Sequence, residues 1–509
     1  PKERILEFSI NHFAKKDKTQ LVLCWGKKTA DTRAEFIYNH IPDKNVSDEI
    51  NLVRKFIDDE IGRETTLTKV LKKGICTHHS GISDETKLLL EYLIREKKIN
   101  YVCSTTTVAE GVNFPISSVF FDDYRKGSQS KGKRNLSSDD FWNISGRAGR
   151  TLVDNFGKII LPFNSESNIN NAKTFIAQST DELVSVLSEL FVNANEIISS
   201  IENNQINIPF NNYYNSIAPL IQYFIHIISV GGHAAYASEI EDLFKDSFEY
   251  YKLDSYDKKE KFIQVCKAIY TYLQDKYGEK IGVLSFADKT GFSVPSVLNV
   301  MKQKSLNPNI SDLNSWNPDS IFDRNNPNNL TEKIEVIAAL RETKIGTDSD
   351  KAPFNPEIIA KILISWVNGD NFETMSNIHP YFKSLSDNER INDFVSKMND
   401  IRFKSSWGLS ALEGIVKGNE AEIKDTYVPS YAYYGVNNAK SLALRMIGIP
   451  RVLTSSLSQV IENDISTYSL NKIRTIIKEL GNSDWDNLKP KKSSLSGLEW
   501  KRITEILIN

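Results

Sequence analysis

The sequence predicts an α/β domain built on a parallel sheet, followed by a mainly helical remainder. Two observations carry this reading. Up to about residue 165, short continuous apolar runs alternate with amphipathic helical patterns, as in sheets covered on both faces. Beyond that point, successive segments carry helical periodicity.

The first strand is the run Leu21-Val22-Leu23-Cys24, ending at Trp25-Gly26-Lys27. Ala30, Ala34 and Ile37 then share one helical face across 29–40. Strands are expected at 74–76 and 100–103, separated by a helix over 84–97 that aligns Leu88, Leu89, Tyr92 and Leu93. Val119-Phe120-Phe121 and 158–161 complete the series. Helices are expected next at 182–199, 217–230, 258–276, 331–341, 356–367, 440–446 and 468–480. A turn-rich stretch at 306–330 divides them, so the expected domains are 1–165, 166–305 and 306–509. The Asn-rich loops are read as compositional bias without chemistry.

The chain has 509 residues, with 63 Lys+Arg against 65 Asp+Glu, a net charge of −2 and 40% hydrophobic residues. That balance excludes an indiscriminate polyanion binder, so a nucleic-acid surface has to be local. No run of about 18 apolar residues exists, which excludes a membrane-spanning helix. Cys24, Cys76 and Cys103 lie in apolar runs and Cys266 on a helical face, without a CxxC pair. Buried thiols in a reducing, cytoplasmic setting are expected, and neither disulfides nor a metal site. The opening Pro1-Lys2-Glu3-Arg4 lacks an apolar signal segment and is read as the interior of a longer chain.

The strongest chemical signal is Ser145-Gly146-Arg147-Ala148-Gly149-Arg150. Its two arginines are three apart, each preceded by glycine, after a helix opened by Ser137-Ser138-Asp139-Asp140. Guanidiniums so spaced can converge on one phosphate, and an arginine finger of this kind accelerates phosphoryl transfer by about 10³–10⁵. Taken alone, a solvated basic turn explains the motif equally well. Upstream, Ser104 to Pro115 follows a strand directly, and so does His78-His79-Ser80-Gly81. Hydroxyls and free backbone N–H groups at strand ends bind phosphates, and the three loops are expected together at the sheet's carboxyl edge.

This ordered set resembles the second RecA-like lobe of a superfamily-two helicase, nearest to the superkiller-like branch of exosome-associated RNA helicases and archaeal repair helicases. The resemblance covers residues 20–165. It implies Arg150 as the arginine finger and Arg147 as a second γ-phosphate contact. Gly111, Asn113, Asn143 and Gly146 would line the ATP side, although the branch carries Gln where Asn143 stands. His79, Gly81, Thr105, Thr106 and Thr107 would approach the nucleic-acid backbone.

A motor also needs a P-loop and an acidic magnesium box. Gly26-Lys27-Lys28-Thr29 imitates the end of a P-loop, but Leu21 stands where its first glycine belongs. Phe120-Phe121-Asp122-Asp123 imitates the acidic box in the wrong order, and Asp58-Asp59-Glu60 reads as a solvated helix face. ATP and Mg2+ are therefore expected to be held mainly by an N-terminal helicase lobe that this chain lacks.

Residues 122–140 contain Arg125, Lys126, Lys131, Lys133 and Arg134 without strand alternation, so a flexible basic loop touching phosphates is preferred to the strand-separating hairpin of related repair helicases, with a disordered solvated loop as the equal alternative. Residues 287–301 have helix-turn-helix spacing, which by resemblance is winged-helix-like and structural. Residues 364–369 resemble the family's ratchet-type helical bundle, with Trp366 read as core. Near the C-terminus, Gly448-Ile449-Pro450 makes a helix-hairpin-helix-like turn flanked by Arg445 and Arg451. That turn can grip a phosphate, and a bundle corner is the equal alternative. It and Tyr433-Tyr434-Gly435-Val436 resemble antiphage helicases of the Hachiman type, which pair with a nuclease. The expected function is an ATP-dependent helicase or translocase, on DNA before RNA. An RNA helicase of processing or decay, or an inactive helicase-like scaffold, is the alternative.

Overall fold

The computed structural model describes residues 2–13, 19–105, 114, 116–123, 125–126, 134–135, 137–149, 157–162, 166–177, 194–202, 214–231, 240–251, 253, 255–345, 355–418, 426–461 and 469–508. Strands β1 (Thr19–Leu23), β2 (Ile75–His78), β3 (Tyr101–Ser104) and β4 (Ile116–Phe121) share one sheet with the later strand Lys158–Ile160. All neighbours in it pair parallel, in the order β2-β3-β1-β4 and then Lys158–Ile160.

The continuous apolar runs exist because both faces of the sheet are covered. Val22, Cys24, Cys103 and Phe120 pack towards α1 (Lys2–Phe13) and α2 (Lys27–His40) through Leu6, Ile10, Ala30, Ala34 and Ile37. Leu21, Leu23, Val102, Val119 and Phe121 point the other way, into a cluster with α3 (Asp48–Ile61) and its neighbours. Helix α4 (Thr66–Leu71) leads into β2, and α5 (Asp84–Arg95) leads from β2 towards β3. All four cysteines are free and buried, and burial raises their thiol pKa values. No described helix is long and apolar enough to cross a membrane.

The 122–140 segment departs from the expected loop. Its described residues include two short strands, β5 (Arg125–Lys126) and β6 (Arg134–Asn135), paired antiparallel with Lys126 opposite Arg134. Two-residue strands are too short for apolar alternation to be read from sequence. They are followed by α6 (Ser138–Ser145), whose Ser137 cap accepts from the Asp140 N–H, and by β7 (Lys158–Ile160).

Among the described residues no strand follows Ile160. The helix-turn-helix is present as Ile281–Thr290, Gly291 at φ +71°, and Val294–Leu306, without a described wing. Asparagines expected to carry no chemistry cap helices: Asn307, Asn317, Asn355, Asn371 and Asn438 each accept a first-turn N–H. The longest helix, Asp387–Lys417, has 31 residues and runs about 46 Å. The sequence reading missed it because its face of Ile391, Phe394, Val395, Met398 and Ile401 continues through Ser405 and Gly408. Gly408 is there for contact: a Cβ on it would lie 2.9 Å from Ile337.

The C-terminal helices Asn482–Leu488 and Gly497–Ile508 fold back onto α3. Trp500 meets Phe56 edge-on at 5.8 Å, and Asp59 accepts from the Ser494 hydroxyl at 2.8 Å. Asp58-Asp59-Glu60 is therefore not a solvated face: Glu60 is buried, and Asp59 anchors the last hairpin.

Candidate nucleotide and nucleic-acid interface

The loop after α6 is fixed by two glycines and a strand end. Gly149 donates its N–H to Ile116 O at 3.0 Å, and Ala148 bridges Ile116 in parallel register. Ile116 is the first residue of β4, so Gly146-Arg147-Ala148-Gly149 lies at the amino end of the sheet. The expectation that three loops share the carboxyl edge is thus corrected. β4 and β7 are parallel, so the connection through α6 has to return to the amino end before β7 begins. The six residues of β4 separate the two ends by about 17 Å.

Arg147 is half-buried on this loop, with Asn143 and Gly146 exposed beside it. Gly149 has φ +71°, the left-handed region that favours glycine. Gly157, which the sequence reading passed over, packs its backbone on the loop from the start of β7. A glycine immediately before a strand was the available signal. Arg150, Gly111, Asn113, Thr106 and Thr107 lie outside the described residues.

At the carboxyl edge, the Thr105 N–H donates to His78 O at 3.2 Å. His79 and Gly81 do not face a strand path as expected. His79 is buried, with Nε2 3.3 Å from Asp31 Oδ1 and Nδ1 accepting from the Gly81 N–H at 3.1 Å. That acceptor role puts the ring proton on Nε2, facing Asp31. A Cβ on Gly81 would lie 2.6 Å from Asn392 O, so the long helix covers this loop. Lys27 and Lys28 pair with Asp393 and Glu389 of the same helix at 2.7 and 2.6 Å. Asp122 is held by Arg33 at 2.7 Å and Lys2 at 3.4 Å, a structural pairing that does not fit a magnesium ligand.

Arg445, Gly448 and Arg451 are likewise corrected. Arg445 is 9% exposed and binds Glu85 Oε1 at 2.6 Å while donating to Ile449 O at 2.7 Å. Arg451 is buried, donates to Trp366 O and Asp370 O at 3.1 and 2.6 Å, and stacks on the Trp366 ring at 4.3 Å. Burial lowers its pKa to about 10. The Gly448 and Ile449 N–H groups close on Arg445 O and Leu444 O, so the turn does not offer them to a phosphate. It is a bundle corner, and Trp366 is core as expected.

Arg445 and Arg402 converge on the first turn of α5. Ser83 and Thr86 hydroxyls donate to the buried Glu60 carboxylate at 2.6 and 2.8 Å. Asp84 pairs with Arg402 of the long helix, and Glu85 with Arg445. Burial, then the nearby Glu85 charge, raises Glu60 to about 7. Burial also works against Glu85, but the Arg445 guanidinium outweighs it and holds that carboxyl below its ordinary value. None of these partners was legible locally.

No family model matches the sequence. The chain is 24% identical to the Hachiman protein HamB of Bacillus cereus over 460 residues, 83% of this chain and 38% of that protein. It is 29% identical to the ATP-dependent DNA helicase Hel308 of Thermoplasma acidophilum over 164 residues, 32% of this chain and 23% of the relative. It is 26% identical to the exosome RNA helicase MTR4 of Mus musculus over 319 residues, 59% of this chain and 29% of that protein. The chain thus spans less than two-fifths of the length of these relatives. The parallel sheet with its mainly helical remainder is consistent with a RecA-like lobe followed by helical domains, and these similarities, with the ordered loops, support a likeness to superfamily-two helicases of the superkiller-like kind.

Proposed function

We propose that this chain supplies the second lobe and strand-holding helical part of an ATP-dependent DNA helicase or translocase, acting in antiphage defence with a nuclease partner. The single observation that carries the motor reading is the separation of two chemistries along β4. The arginine loop lies at its amino end and the threonine-led loop begins beside its carboxyl edge. The defence reading draws its support from the similarity to the Hachiman protein, which extends over 83% of the chain.

In this reading Arg147 and Arg150 reach the γ-phosphate of ATP held chiefly by another lobe. The donors fit a polyphosphate: a half-buried guanidinium preceded by glycine, with an exposed Asn143 amide nearby. Mg2+ would be held outside this lobe, because Asp122 is already neutralised by Arg33 and Lys2. Thr105 to Thr107 and the basic β5–β6 ribbon approach the strand's phosphates. The long helix presents Phe403, 58% exposed, as a ring on which a base can stack. Lobe closure then shifts the held strand relative to the other lobe.

The test uses the intact protein, including its P-loop lobe. Single-stranded DNA is expected to stimulate ATP hydrolysis more than single-stranded RNA. Arg150→Ala should abolish the stimulated rate while sparing strand binding, and residues 1–509 alone should hydrolyse ATP negligibly. Phe403→Ala should weaken strand binding by about 1–3 kcal/mol. Preferential stimulation by RNA would favour the processing or decay reading, to which the MTR4 similarity belongs. Equal loss of ATPase and binding in Arg150→Ala would give that arginine a structural role.

A further inference from the structure

At the first turn of α5 the RecA-like lobe meets two separate helical elements through charge pairs. Asp84 takes Arg402 from the middle of the long helix, and Glu85 takes Arg445 from the helix before the Gly-Ile-Pro corner. The side chains of Glu85 and Arg445 are only 12% and 9% exposed, so water screens that pair weakly, whereas Arg402 at 13% meets the more open Asp84 at 53%. Behind them Ser83 and Thr86 bind Glu60, which fixes the same turn to α3. Four consecutive residues therefore hold three partners from three different elements. The turn itself is continuous with β2 through the loop that Gly81 presses against Asn392.

We infer that Arg402 and Arg445 are positioning residues that lock the helical bundle to α5, making the lobe and the bundle one rigid body. This rests on the proposed motor function and deepens it. Nucleotide-driven motion of the lobe is carried undiminished to the strand lying on the long helix. Without the lock, the lobe still closes over ATP but slips against the bundle. Hydrolysis continues while strand movement is lost.

Two measurements test the lock in the intact protein. In the first, stimulated ATPase and displacement of a DNA strand are read together. Glu85→Gln combined with Arg445→Met should lower displacement about tenfold more than ATPase, and Arg445→Lys should restore part of the difference. Parallel loss of both activities, or no loss of either, would overturn the inference. The second needs no activity, so it stands if the motor reading fails. Spin labels at Glu96→Cys and Ser410→Cys, both exposed beside four buried native cysteines, report the distance between lobe and bundle. One narrow distance that broadens in the double variant supports the lock. An unchanged width overturns it.

Discussion

Gly157 approaches Ala148 so closely that a Cβ on the glycine would sit 2.3 Å from the Ala148 carbonyl oxygen. The backbone at the start of β7 thus sets the position of the loop that carries Arg147. Gly157→Ala must push that loop aside, at about 1–3 kcal/mol for an overpacked contact. The expected outcome is a fall in stimulated ATPase of the intact protein with strand affinity retained, measured side by side.

Gly81 makes the matching contact at the other end of the sheet, against Asn392 O of the long helix at 2.6 Å from a notional Cβ. Both sides of this contact are backbone, so neither can swing away. Gly81→Ala is expected to lower the thermal midpoint, with a cost of about 1–3 kcal/mol. Calorimetry of residues 1–509 checks this.

Glu60 gives the junction a pH dependence. Its ordinary value of 4.5 is raised to about 7, first by burial and then by Glu85. Between those values the folded protein keeps a proton that the unfolded chain has released. The contribution of Glu60 to stability is therefore full below the lower value and lost as pH rises through the upper one. Glu85, held low by Arg445, acts in the opposite sense and below this window. Glu60→Gln should flatten the decline in thermal midpoint from about pH 5 to about pH 8, read by thermal denaturation across that range.

Lys333 is fully buried with no carboxylate in contact among the described residues, and burial lowers its pKa to about 8. Its amino group donates to Asn309 O, Ser315 Oγ and Asn329 Oδ1 at 3.2, 3.0 and 2.6 Å. This one side chain ties together the turn-rich 307–330 stretch. Lys333→Met removes three hydrogen bonds, with Asn309 O keeping only the Ser315 hydroxyl, and should cost about 1–3 kcal/mol in urea denaturation.

Arg451 separates a structural arginine from a phosphate-gripping one. A lysine cannot stack on Trp366 and reach two carbonyls as the planar guanidinium does. Arg451→Lys is expected to lower the thermal midpoint and leave DNA affinity and its salt dependence unchanged. A selective loss of DNA affinity would return Arg451 to the strand path.

The readable parts of the sequence were those whose cause is local. Leu21 to Cys24 and Val119 to Phe121 announced strands because a sheet covered on both faces needs apolar residues at every position. The Ser137 cap announced α6, and Gly291 announced the turn between two helices. The order of the chemical loops was equally plain. The long helix escaped because its apolar face runs through Ser405 and Gly408, and Gly408 makes sense only once Ile337 is known to cross there.

By itself, then, the sequence determined the parallel α/β lobe, the helical remainder and the order of the candidate loops, since hydrophobic periodicity and capping act between near neighbours. Only the tertiary structure decided that the Arg147 loop lies at the opposite sheet end from His78, because the return through α6 follows from strand direction. It likewise decided that Arg445 and Arg451 face Glu85 and backbone carbonyls instead of phosphate. A guanidinium satisfies whichever acceptor the fold brings within reach, and residues far apart along the chain meet only after the helices have packed.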